Sequence, residues 1–134
     1  MNNYSNGKSF IFNAEISVQS IKDLYGDDYT YIEEVFETVL KEYEVLTNNI
    51  ISAYASQDIP VLKAAVHKIK PIFGFVGLLT VQQQCQQFEN SCHSASTFDS
   101  LVNDFGSLKN SLIKSKSLIE EEKRKLELFN NQRA

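Results

Sequence analysis

The residues best suited to chemistry lie between Leu62 and Leu78, where His67 is followed by Lys70 three positions on, Gly74 seven on and Gly77 ten on, with apolar residues flanking each. A neutral imidazole nitrogen is a nucleophile, and an ammonium beside it offsets negative charge on an incoming group and on the product. That pairing suits the acceptance of a phosphoryl group. Glycine leaves a surface open, so Gly74 and Gly77 are expected to give a partner loop room to approach for in-line transfer between two protein side chains.

A helix must present these side chains together. Leu62, Val66, Ile69, Phe73 and Val76 recur at steps of three and four, the spacing of an inward stripe, which leaves Lys63, His67, Lys70 and Gly74 as an outward row. Asp58 followed by Pro60 is a start signal: a side-chain acceptor for free amides, then a residue lacking only an amide that the first turn does not use. The helix is expected to run to about Val76, with a turn at Gly77.

The neighbouring segments supply the packing. Val18, Ile21, Leu24 and Tyr25 predict a short lid helix stopped by Gly26. Ile32, Val35, Phe36, Val39, Tyr43, Leu46, Ile50 and Ala53 mark one face of a long helix capped by Asp27 or Asp28. Val81, Cys85, Phe88 and Cys92 are the buried stripe of a further helix whose remaining positions are mostly glutamine. After the polar run 94–97, with Thr97 as N-cap, the last helix carries Phe98, Leu101, Val102, Phe105, Leu108, Leu112, Ile119, Leu126 and Phe129. Glu120 with Arg124 and Glu121 with Lys125 are read as pairs on its solvated face. No segment alternates as a strand does. The fold class is therefore all-α: an antiparallel four-helix bundle with an additional short N-terminal helix, residues 1–16 irregular and 17–130 forming the bundle.

An acidic partner for the imidazole follows from the hairpin. With the turn near Gly77 and Leu78, a residue eleven before it lies level with one eleven after it, which sets His67 beside Phe88 and Glu89. Phe88 belongs to the core stripe. Glu89 is left at its edge, where a carboxylate could hold the proton on one ring nitrogen and free the other to attack.

At these residues the chain resembles the histidine phosphotransfer (Hpt) family, whose motif is His, an aliphatic residue two on, Lys three on and Gly ten on, here His67, Ile69, Lys70 and Gly77. The resemblance runs from about Ser17 to Cys92 and includes Leu24-Tyr25-Gly26-Asp27 before the long helix, Asp58 leading into the His helix, and an apolar-Cys-apolar pattern after it. It implies that His67 is the phosphoacceptor, that Lys70 stabilises charge, and that Glu89 stands where relatives often have Gln or Glu. It implies as partners the receiver domains of response regulators or hybrid histidine kinases, with an aspartate as donor or acceptor and Mg2+ held by the receiver; no cofactor is expected on this chain.

The pattern departs from the family at Pro71, usually a small residue and most often Gly, and at Ile72 and Phe73, usually Ser or Ala. Proline lacks the amide that would bond the His67 carbonyl and crowds that oxygen, so a kink or loosened turn is expected beside the acceptor. Phe73 falls on the inward face and is expected in the core.

Charge narrows the partners. The 134 residues carry 13 Lys and Arg against 17 Asp and Glu, a net −4 that argues against a general nucleic-acid binder. Between Asp58 and Gln87, however, Lys63, Lys68 and Lys70 outnumber the single acid, so the acceptor face is locally basic. Lys63, Lys68, Pro71, Gly74 and Gly77 are its expected partner-facing residues, and complementary charge on an acidic receiver would speed encounter. The sequence has no run of about 20 apolar residues and no apolar signal core after its polar start, so no membrane association and a cytoplasmic location are expected. A chain beginning at Met1 is taken as free-standing, and as a monomer.

Other readings of these residues are less well supported. Cys85, Cys92 and His93 could suggest a metal, but Cys92 and His93 point about 100° apart on a helix and no fourth ligand is evident. The two thiols, about 10 Å apart along that helix, are too distant for a disulfide. A sensor-kinase phosphoacceptor domain usually has an acid directly after the His and Pro five on; here Lys68 follows and Pro71 comes at four. There is also no candidate nucleotide-binding domain, so no autonomous kinase activity is expected. A bundle that has lost its chemistry and serves only as an interaction module is the remaining alternative.

Overall fold

A computed structural model describes residues 9–133. Five α-helices follow in order, and the sequence signals account for most of their ends. Helix α1, Val18–Tyr25, is capped by Ser17, whose side chain accepts from Ser20 N, and it ends where Gly26 adopts φ 66°. Helix α2, Tyr29–Ala55, starts under Asp28, which accepts from Tyr31 N. Of the two aspartates proposed as its cap, the structure uses the second. Helix α3, Ile59–Phe75, begins with Asp58 accepting from Val61 N and Pro60 in the first turn.

Of the later starts, one follows the expected turn at Gly77 and the other differs from the reading of the sequence. Helix α4, Leu79–Ser94, has no side-chain cap; its entry is set by Gly77 at φ 74°. Thr97 does not cap the last helix by a side-chain hydrogen bond either. A 3-10 turn, Phe98–Leu101, leads instead into α5, Val102–Arg133. Leu101 is buried within this tighter turn, a common form at a helix start.

Helix α2 packs against α3 and α5, and α4 packs against the same two, which closes the ring of a four-helix bundle. The expected stripes form its core: Ile32, Phe36, Val39, Tyr43, Leu46, Ile50 and Ala53 from α2, Leu62, Val66, Ile69 and Phe73 from α3, and Cys85, Phe88 and Cys92 from α4 are buried. Phe73 is fully enclosed, its ring edge-on to Tyr43 with centroids 6.0 Å apart. Tyr43 keeps its hydroxyl satisfied by donating to the Leu112 carbonyl at 2.7 Å.

Several expected core positions lie elsewhere. Val18 and Leu24 on α1 are exposed and only Ile21 is buried, because a two-turn helix laid on the end of a bundle buries one narrow line. Val102 is exposed as well, since it follows the 3-10 turn and so falls off the stripe of α5. Residues 9–17 contain no helix, yet Phe12 and Ile16 are buried and Asn13 N donates to Glu122 Oε1 at 2.8 Å, so this segment straps the N-terminus to α5. Helix α1 is pinned over the α3–α4 turn by Ser17 N donating to Gly77 O at 2.8 Å and Tyr25 Oη donating to Phe75 O at 2.7 Å.

Candidate functional site

The site is the polar seam between α3 and α4. His67 stands on the open side of α3 with its side chain 68% exposed, while Glu89, opposite it on α4, is buried. His67 Nδ1 and Glu89 Oε1 are 2.8 Å apart. The level expected from the hairpin is therefore the one observed, with Glu89 beside the core residue Phe88 and enclosed between the helices.

Lys70 lies one turn further along α3. Its side chain is folded onto the seam, 18% exposed, with Nζ 2.8 Å from Glu89 Oε2. Beside that ion pair, Lys70 donates a hydrogen bond to Gln86 Oε1 at 2.7 Å. Gln86 in turn donates from Nε2 to Asn90 Oδ1 at 2.9 Å. The outward row expected on α3 is thus a graded one: His67 open, Lys70 mostly covered, Lys63 and Gly74 half-buried. Gln86 went unremarked in the sequence because it is one glutamine among several on α4. Its only signal is its position, one turn before Glu89 on the same face.

The charges set the proton. Burial works to raise the Glu89 carboxyl, but the contacts from Lys70 and His67 outweigh it and hold the group below the ordinary carboxylate range. An ionised carboxylate can only accept, so the hydrogen shared with His67 belongs to Nδ1. The opposite nitrogen, Nε2, then carries the lone pair, and it has no hydrogen-bond partner among the described residues. In the neutral ring the carboxylate thus fixes the tautomer from behind and leaves Nε2 as the open nitrogen.

Pro71 sits inside α3, exposed, and the helix continues through it to Phe75 without a break. Ile69, Ile72 and Phe73 anchor this stretch in the core on the other side. Lys68 is exposed on the same outer surface.

The two glycines have different surroundings. A Cβ on Gly74 would come within 2.8 Å of the Gln82 side-chain amide, a flexible group that can move. A Cβ on Gly77 would meet Ile16 Cγ2 at 2.9 Å and the Ser17 carbonyl at 3.2 Å. Gly77 is buried beneath the strap and α1. Its expected place on the partner face is thus corrected: the missing side chain makes room for the protein's own N-terminal segment.

A protein-family model, the Hpt domain, matches residues 33–117, a span that holds His67, Lys70, Gln86 and Glu89. The chain belongs to the Hpt domain family. As an Hpt domain it is a histidine phosphotransfer module built on a helical bundle. A solved structure similar to it is the HPT domain from the Hpt sensor hybrid histidine kinase from Shewanella, with a TM-score of 0.67 and 17% identity over 80% of this chain and 92% of that one. At that identity the likeness establishes the shared fold. No curated protein matches the sequence. Among the described residues of this Hpt domain, no helix is long and apolar enough to cross a membrane.

Proposed function

We propose that the protein is a phosphorelay intermediate that takes a phosphoryl group onto His67 from an aspartyl phosphate of a receiver domain and passes it to another such aspartate. The observation that carries this reading is the pairing of an open imidazole with a buried carboxylate at 2.8 Å. In the transfer, the Nε2 lone pair forms the nitrogen–phosphorus bond as the phosphorus–oxygen bond to the aspartate breaks, and the freed aspartate keeps that electron pair. The proton stays on Nδ1, where Glu89 offsets the positive charge left on the ring. Lys70 answers the negative charge of the phosphoryl oxygens.

Lys63, Lys68, Pro71 and Gly74 surround the acceptor and form the surface on which a receiver would dock. Their basic balance matches the acidic pocket expected of such a domain, and Mg2+ belongs to that partner. The protein supplies a positioned nucleophile and has no kinase activity of its own in this scheme, and it works as a cytoplasmic monomer.

The test is transfer from receiver domains phosphorylated by acetyl phosphate to the wild-type chain and to His67→Gln. Acid-labile, base-stable label on the wild type alone supports the reading. A folded wild type that takes no label from several receivers would leave an interaction module as the better account.

A further inference from the structure

The seam extends beyond the side chains that touch the imidazole. Lys70 has three N–H groups on a flexible stem and, left alone beside a buried carboxylate, would settle squarely on Glu89. It divides its contacts instead: Nζ lies 2.8 Å from Glu89 Oε2 and donates a hydrogen bond to Gln86 Oε1 at 2.7 Å. A side-chain amide can present either end, and only its oxygen accepts. Asn90 Oδ1, 2.9 Å from Gln86 Nε2, occupies the donor end and so turns Oε1 toward Lys70. Gln86 is half-buried and Asn90 exposed, so the pair forms the rim of the seam on α4.

We infer that Gln86 is a positioning residue for phosphoryl transfer, giving the Lys70 ammonium a second anchor beside Glu89 that holds it at the rim of the seam for the phosphoryl oxygens on His67, with Asn90 fixing the sense of the Gln86 amide. This rests on His67 being the acceptor. Gln86 touches no reacting atom; it acts through Lys70. Two consequences follow from that route. Any acceptor at the end of the side chain should serve, and removing Gln86 should matter only while Lys70 is present.

The experiment measures transfer rates from one acetyl-phosphate-charged receiver domain to the wild type, Gln86→Met, Gln86→Glu, Lys70→Ala and the double variant Lys70→Ala/Gln86→Met. Circular dichroism confirms that each is folded. Gln86→Met, close in shape but without the acceptor, is expected to slow transfer about tenfold, the size of one hydrogen bond to a charged group. Gln86→Glu is expected to stay within about threefold of wild type. The double variant should be no slower than Lys70→Ala alone. If Gln86→Met fails to fold, Asn90→Ala takes its place and is expected to slow transfer in the same direction, because the amide is then free to turn.

An unchanged rate in Gln86→Met, or an equal loss in both Lys70 backgrounds, would overturn the proposal, since a purely structural glutamine would act regardless of Lys70. Labelling of the wild type but not of His67→Gln isolates that result to Gln86. No labelling of a folded wild type would overturn the acceptor reading and this role with it.

Discussion

His67 Nδ1 lies 2.8 Å from Glu89 Oε1, a bond between consecutive helices in which the imidazole is open to solvent and the carboxylate is buried. The carboxylate also faces Lys70, so three ionisable groups from two helices share one small volume. A buried anion of this kind is stable only while its partners remain in place.

The first prediction concerns acid. Glu89 is held below its ordinary value of 4.5, so its contribution to stability is complete above that pH. It is lost as pH falls through the lowered folded value, because the unfolded chain takes up the proton first. Urea midpoints measured from about pH 7 down to about pH 3 should therefore fall more steeply for wild type than for Glu89→Gln. Parallel curves for the two proteins would mean that the shared carboxylate contributes nothing to folding.

The second prediction separates the two glycines. Gly77→Ala forces a side chain onto a backbone at φ 74° and into Ile16 and the Ser17 carbonyl, and should cost about 1–3 kcal/mol in urea unfolding. Gly74→Ala displaces only the end of Gln82 and gains helix propensity, so it should stay within about 1 kcal/mol of wild type. Equal costs at both positions would contradict the burial of Gly77 beneath the strap.

Periodicity made the core of this fold legible, because α2 and α3 bury the residues that recur every three or four positions. The His67–Glu89 pair was legible for a related reason: a hairpin of two helices fixes which residues stand level. What could not be read was decided by contacts between distant parts of the chain. Gly77 looks like a surface glycine until Ile16 and Ser17 are laid over it. Pro71 could be read as a place of local strain, but that α3 continues through it to Phe75, held on its core side, is a matter of tertiary packing. Gln86 is indistinguishable from its neighbours in sequence, and only the placement of Lys70 and Asn90 gives its amide a direction.

The third prediction concerns the thiols. Cys85 and Cys92 are both buried and free, and burial, with the nearby Glu89, pushes the Cys85 thiol up to about 12. Reactivity follows the thiolate and its exposure. A thiol reagent such as dithionitrobenzoate should therefore label neither residue quickly in the folded protein and both in urea. Rapid labelling of Cys85 without unfolding would show that α4 opens from the bundle.

The fourth prediction concerns Pro71. Its missing amide leaves the His67 carbonyl without the usual bond from four residues on, and the ring crowds that oxygen, yet α3 runs through the position intact. The core side of the helix must therefore be opposing an unfavourable residue. Pro71→Ala restores the donor at an exposed site and should stabilise the protein by about 1–3 kcal/mol, read as a higher melting temperature. The acceptor ring is held from α4 by Glu89, so transfer to His67 should change by less than about threefold. A large gain in stability with a large loss of transfer would instead mean that the unpaired carbonyl of His67 takes part in docking the partner.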